Sequence, residues 1–458
     1  MGNRQHASAL YNAGVTAANG GNGQPANLQQ AFQNFVAAAL ADPTWWNAFY
    51  QCGNNVSDLG QQPAAIACWR RALECNMDFR DRAKVLCNMG WRLHGLGHTQ
   101  ESIDCTRQAL LLDDTLAMAW VNLSCTEGIL DRPKEAVSAA EKAFQLAPEE
   151  SVTEMALAFA CLFDRQFARG LRHMERRFDY KLKNFLHLPY PRWQGEPGGT
   201  VLLLSDQGLG DTLSFARFIP AVARKVQFLH ICMQPELMRV FQHAFVGIPN
   251  LALSPLPPTY PAADYWTTFQ SLPTALDLDD DAIVNTPQID VPVFGLPKTW
   301  KVPDRRFHIG ISWRGSVLND INVHRSIPIE QFLDLYRVPG IQLYSLQVDD
   351  NRRQLQDSGC APVITDLAGY IRDVADTVSL MRDLDLVITC ESALGHICAA
   401  ANKECWIPYS YLGRDYRIGL TGEDPIWTPK HRVFRQGPEQ QWHPVFDRIV
   451  QALRERVG

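Results

Sequence analysis

The chain has 458 residues, 46% of them hydrophobic and 20% charged, a globular composition that excludes a disordered or collagen-like polymer and leaves room for roughly three domains. A net charge of −6 excludes a protein that grips polyanions through bulk positive charge. No run approaches the ~20 apolar residues of a membrane helix, and the opening MGNRQHASALYNAG lacks a signal-peptide core, so a cytoplasmic chain without membrane insertion is expected.

The first part of the chain repeats itself. Ala39-Leu40-Ala41-Asp42-Pro43, Ala72-Leu73-Glu74-Cys75-Asn76, Ala109-Leu110-Leu111-Leu112-Asp113 and Ala143-Phe144-Gln145-Leu146-Ala147-Pro148 follow one another at 33, 37 and 34 residues. That is the period of the tetratricopeptide helix pair, in which a small residue lets two helices approach. First helices are expected over Ala83 to Leu96 and Leu116 to Ile129, with a turn at Gly95/Gly97. Stacked pairs share a core and leave a concave groove, so a protein or peptide partner is expected there, a plain scaffold being the alternative. Cys68, Cys75, Cys87 and Cys105 lie among apolar helical residues, without any C-x-x-C pair, and read as reduced core thiols. Arg165, Arg169, Arg172 and Arg176 read as a basic stripe on one helix face. Such a stripe is either a solvated or interdomain face or a contact for a phosphate-bearing acceptor.

At Leu188 to Pro197 the helical period gives way to Pro and Gly. Strands are expected at Val201–Ser205 and Val226–Met233, with amphipathic helix to Ala223 and over Pro235–Phe245. A turn-rich segment runs from Pro255 to Pro303. Strands resume at Phe307–Trp313, Ile341–Gln347, Pro362–Leu367 and Leu384–Thr389, and a last helix covers Pro444–Arg456. Strand–helix alternation implies parallel sheets covered on both faces. The expected organisation is an α-helical repeat domain over 1–185 and an α/β module of two Rossmann-like halves, 186–300 and 301–458, with a ligand cleft beyond the strands' carboxyl ends.

Three segments carry candidate chemistry. Gly208-Leu209-Gly210 follows a strand, but Leu213 stands where a dinucleotide fingerprint needs glycine, so a nicotinamide enzyme is disfavoured. Asp211 opens the next helix and can accept a proton or serve as a cap. Leu384 to His396 runs a buried strand into Cys390-Glu391-Ser392-Ala393, a helix start suited to an anion, with Ser392 and His396 in reach; a capped turn with a buried histidine looks alike. No G-x-S-x-G elbow is present. Gly310 to Ser316, with Asn319-Asp320 and Val323 to Ser326, places Ser312, Arg314 and Arg325 beyond another strand end, where either arginine can neutralise a diphosphate.

As an ordered set, Leu188 to Pro197, Asp206 to Arg217, Ser312 to Pro328, Ser345-Leu346-Gln347, Asp376-Thr377, Asp385 to Ala401, Asp415-Tyr416-Arg417, Trp427 and Phe434-Arg435-Gln436 resemble bacterial and phage proteins that join tetratricopeptide repeats to a heptosyltransferase-like (family nine) glycosyltransferase module. The resemblance implies a GT-B fold, with a nucleotide-sugar donor held by the C-terminal half through Ser392, His396, Glu391, Arg325, Arg314 and Ser312. Asp211 matches the family's catalytic base, and Gln207, Gly210 and Arg217 fall on the acceptor side. No metal and no cofactor beyond the nucleoside-diphosphate sugar are implied. Glu391 replaces the Asp that usually opens the turn, and Arg314 stands where a small residue is commoner.

The expected activity is metal-independent transfer of a hexosyl- or heptosyl-type sugar to an acceptor hydroxyl, including one on a polypeptide held by the repeats. The alternative is a catalytically degenerate module that binds a nucleotide, glycan or partner. Modified DNA or a phosphorylated glycan stay open as acceptors, so nucleic acid is not excluded.

Overall fold

The computed structural model describes residues 2–20, 25–180, 188–256, 260–291, 294–295, 300, 306–315 and 322–457. Its backbone contacts divide the chain into two compact units, Met1–Ala160 and Cys161–Gly458.

The first unit is a run of TPR-like helix pairs. α1 (Gly2–Asn19) packs with α2 (Leu28–Ala41), α3 (Trp46–Asp58) with α4 (Gln62–Leu73), α5 (Phe79–Gly95) with α6 (Thr99–Leu112), and α7 (Ala117–Ile129) with α8 (Pro133–Leu146). The four repeated segments are the ends of α2, α4, α6 and α8. Ala72, Ala109 and Ala143 are fully buried there. A side chain at Gly53 would collide with Trp69, and one at Gly90 with Thr106 Oγ1, which is why small residues recur where paired helices meet. Gly60, Gly97, Asp131 and Arg165 all take positive φ, between 57° and 80°, and fall 37, 34 and 34 residues apart. Gly60, Gly97 and Asp131 each close the turn between the two helices of a pair in the left-handed conformation, and Arg165 takes the same conformation just before the Phe167–Met174 helix of the second unit.

This turn corrects the arginine stripe. Arg165 occupies the turn, Arg169 donates to Gln166 Oε1 at 3.1 Å, and Arg176 lies beyond the end of the Phe167–Met174 helix, paired with Asp179. The four arginines therefore do not line one helical face. The division at 160/161, rather than at 185, also has a local cause. Phe167 packs edge-on to Trp427, its ring centroid 5.8 Å away, and the Ala168 N–H donates to Asp280 at 2.7 Å. These residues belong to the α/β unit.

Among the described residues, the second unit holds two wholly parallel sheets. β1 (Thr200–Leu204), β2 (Phe228–Met233), β3 (Leu251–Pro255) and β4 (Tyr265–Thr268) form the first, in the order β3-β2-β1-β4. β5 (Phe307–Ser312), β6 (Ile341–Ser345), β7 (Ile364–Asp366), β8 (Leu386–Thr389), β9 (Cys405–Tyr409) and β10 (His431–Arg435) form the second, in the order β10-β9-β8-β5-β6-β7. Counted from its own first strand, the second sheet runs 3-2-1-4-5-6, the doubly wound order whose direction reverses between β5 and β8. Its core stacks Ile309, Ile311 and Trp313 against Phe332 and Phe446. β3, β4, β9 and β10 were not expected from the sequence. β4 is four residues inside the turn-rich segment. β9 contains Pro408, tolerated because β8 pairs with β9 only at Cys405 and Trp406, before the missing N–H would be needed.

No disulfide joins any of the twelve cysteines, and ten are buried; burial pushes the Cys87 thiol up to about 12 and that of Cys105 to about 11. Among the described residues, no helix is long and apolar enough to cross a membrane.

Candidate active site

β1 and β8 are central strands, and each runs into a short turn and a helix: Leu209–Phe215 after β1 and Ala393–Ala400 after β8. These two helices pack against each other. The approach requires Gly210, since a Cβ there would fall 2.4 Å from His396 Cδ2. Gly210 is thus a packing position against the C-terminal half, not a group presented to an acceptor.

His396 bridges the halves. Its Nδ1 lies 3.0 Å from Ser214 Oγ on the first helix, and its Nε2 lies 3.4 Å from Asp415 Oδ2. A proton on Nε2 facing the carboxylate, with Nδ1 accepting from the serine hydroxyl, satisfies both contacts. Asp415 is the hub. It also accepts from Arg417 Nε at 2.8 Å, Arg417 Nη2 at 3.0 Å and the Arg417 backbone N–H at 2.9 Å. Burial alone would raise the Asp415 carboxyl, but Arg417 and His396 hold it well below the usual carboxylate range. Burial likewise opposes the charge on Arg417, and Asp415 with Asp211 more than offsets it. The circuit closes where Arg417 Nη1 comes within 3.0 Å of Asp211 Oδ1. Asp211 sits in the first turn of its helix, its side chain 32% exposed, while Arg417 is nearly buried.

The remaining expected residues fall into two groups. Ser392, Glu391, Ser312, Arg314 and Arg325 gather at the reversal point between β5 and β8. Ser392 caps its own helix, accepting from the Leu394 N–H at 3.3 Å. Ser312 donates to Gln347 Oε1 at 2.9 Å, and the same amide accepts from the Arg314 N–H and donates to the Arg314 carbonyl, so Gln347 fixes the loop after β5. The Arg325 guanidinium lies over Gly315, where a Cβ would come within 2.6 Å of its Nη2. Ser316, Asn319 and Asp320 lie outside the described residues. Glu391 is buried, and desolvation, then the nearby Asp415, pushes its carboxyl up to about 7.

The second group differs from expectation. Arg217 is buried, donating to the carbonyls of Ser214 and Thr286 and stacking over Trp427 at 5.0 Å, so it ties the halves together and cannot meet an acceptor. Burial, then Arg417, lowers its guanidinium to about 10. Gln207 is half-buried, and its carbonyl accepts from Gln234 Nε2 at 2.8 Å.

Beneath Arg417 lies a cavity of about 20 Å³, lined by Glu391, His396, Asp415, Thr428 and His431. It has room for one water. Glu391 Oε2, Thr428 Oγ1 and His431 Nε2 are buried there without a hydrogen-bond partner. A larger concavity, about 610 Å³ between Glu404, Lys430, Arg432 and Arg456, lies at the N-terminal ends of β9 and β10, the end opposite to where parallel sheets bind ligands.

The sequence assigned no role to Ser214 or Gln347, though both lie in the runs that carry the resemblance, and it did not single out Arg177. Arg177 is 2% exposed and donates to Asp206 at 3.1 Å and to Thr268 at 2.7 Å, anchoring the turn that leads to Asp211. Nothing in the run Glu175-Arg176-Arg177 distinguishes the fully buried arginine from its half-buried neighbour.

No family model matches the chain. It is 23% identical over 432 residues to Protein FlbA of Caulobacter vibrioides, covering 87% of this chain and 71% of that protein. Among solved structures it is similar to MamA protein (16% identity, TM-score 0.33, 41% of this chain and 97% of that one). It is also similar to pilF of Pseudomonas aeruginosa (19% identity, TM-score 0.33, 38% and 77%).

Proposed function

We propose that the α/β unit is a metal-independent glycosyltransferase of GT-B type using a nucleoside-diphosphate sugar. The observation that carries this reading is the pairing of two strand–turn–helix units from two parallel sheets. One offers a part-exposed carboxylate, Asp211, and the other a doubly wound reversal point rimmed by Arg314 and Arg325. Asp211 takes the proton of the acceptor hydroxyl as its oxygen attacks the anomeric carbon. The bond to the diphosphate breaks, and the electron pair leaves on the phosphate oxygen. The arginines and the helix start after Ser392 stabilise that charge, each preorganised donor contributing a few kcal/mol.

The acceptor in this reading is a hydroxyl on a polypeptide held by the helix pairs. Modified DNA and a phosphorylated glycan are the competing acceptors, and both lose support from the dispersal of the arginine stripe. A non-catalytic binding module is the second reading. It is favoured by His396, whose two ring nitrogens are both engaged, and by Ser392, whose hydroxyl is used as a cap.

The test starts with a thermal-shift panel of nucleoside diphosphates and their sugars. A ligand at 100 times its Kd adds about 2.7 kcal/mol of stability. Release of free nucleoside diphosphate only when donor and acceptor are both present, and undiminished by EDTA, is the expected result. Binding without release under any acceptor favours the second reading.

A further inference from the structure

Arg417 is committed on two of its three guanidinium nitrogens. Nε and Nη2 form a fork onto Asp415, and the backbone N–H adds a third bond to the same carboxylate. Asp415 in turn is held by His396, so the plane of the guanidinium is set. The third nitrogen, Nη1, is aimed at Asp211. At 3.0 Å from Oδ1 it makes a charge contact, yet it lies off the line of an N–H bond and closes no directed hydrogen bond, although the residue is only 9% exposed. A buried guanidinium nitrogen with unmet N–H groups is a costly arrangement. It relaxes when a better acceptor arrives. Nη1 is itself buried and the cavity that Arg417 lines admits nothing larger than a water, so an anion reaches Nη1 by displacing the part-exposed Asp211 carboxylate.

We infer that Arg417 is shared between Asp211 and the donor diphosphate. In the free protein Nη1 occupies Asp211 Oδ1, and an incoming diphosphate oxygen takes Nη1 over. Guanidinium geometry suits phosphate oxygens, and the donor brings more negative charge than one carboxylate. Asp211 Oδ1 is then released to the acceptor hydroxyl. The inference rests on the transferase reading of this site and adds an order to it: donor before acceptor. Asp415, which orients Arg417 and His396 without touching substrate, is a positioning residue.

The experiment is calorimetric titration of the full chain with inorganic pyrophosphate and with UDP, GDP, ADP, CDP and dTDP. It is run on the wild type, Asp211→Asn, Asp211→Glu, Arg417→Lys and the Asp211→Asn/Arg417→Lys double variant. Removing the competing charge in Asp211→Asn is expected to tighten diphosphate binding roughly threefold or more. Asp211→Glu, which keeps the charge, stays near wild type and guards against a folding artefact in Asn. Arg417→Lys is expected to weaken binding about tenfold, and in that background the gain from Asn disappears. Unchanged affinity in Asp211→Asn, or a gain that survives in Arg417→Lys, overturns the sharing and leaves the transferase reading intact. A wild type that binds none of the six probes overturns the transferase reading, and the inference with it.

Discussion

The turn after β1 and the turn after β8 are built alike and used differently. Both leave a central parallel strand, both open a short helix, and the two helices meet at Gly210 and His396. The first turn is capped by Gly208, which has no side chain to offer, and it leaves the Asp211 carboxylate part-exposed. The second caps itself with Ser392 and buries Glu391. Similar local architecture thus leaves a part-exposed carboxylate in one turn and internally bonded or buried polar groups in the other. A carboxylate at a strand end is therefore not evidence of chemistry until its partners are known.

The contrast can be broken from either side. The largest effect is expected from Asp211→Asn, which should lower transfer by about 10²–10⁴-fold, the range of general-base help. Full turnover in that variant, followed as released nucleoside diphosphate, removes the base assignment. Asp415→Ala should act on the other side of the circuit. It leaves the Arg417 charge buried without its fork, a loss of about 3–5 kcal/mol in a denaturant titration, whereas an indifferent protein would mean that Asp415 is not the hub.

Glu391 sharpens the comparison through pH. Its folded pKa, raised to about 7 by burial and Asp415 from 4.5, means the folded protein holds a proton that the unfolded chain releases. Its contribution is complete below 4.5 and is lost as pH rises through about 7. Glu391→Gln should remove that decline and stabilise the protein at pH 8 by on the order of 3 kcal/mol. His431, lining the same cavity, works in reverse. Burial lowers it to about 3 from 6.5, so its contribution is present above 6.5 and fades as pH falls toward 3. Melting temperatures of Glu391→Gln and His431→Gln across pH 4–8 should diverge in opposite directions; parallel curves would refute the assignment. The smallest effect is expected from Ser392→Ala, about 1 kcal/mol for a lost helix cap. A much larger loss of nucleotide affinity than of stability would show that the serine touches ligand as well.

The sequence determined what is local. Helix pairs announce themselves through small residues at Ala72, Ala109 and Ala143 and through the turn at Gly95/Gly97, because helix packing and left-handed turns constrain residues near in the chain. The strands β1, β2, β5, β6, β7 and β8 were legible as apolar runs for the same reason. β4 and β9 were not, since a four-residue strand and a strand containing Pro408 become strands only through the neighbours they pair with. The candidate residues after β1 and β8 were legible as helix starts. Their partners were not. Asp211 meets Arg417 across 206 positions, and Ser214 meets His396 across 182, distances at which no spacing rule operates. Whether Arg217 or Arg314 faces solvent, whether Ser392 is a ligand or a cap, and which of Arg176 and Arg177 is buried were decided by tertiary structure alone. Burial and hydrogen-bond satisfaction are properties of the assembled neighbourhood, and a side chain's chemistry follows from them.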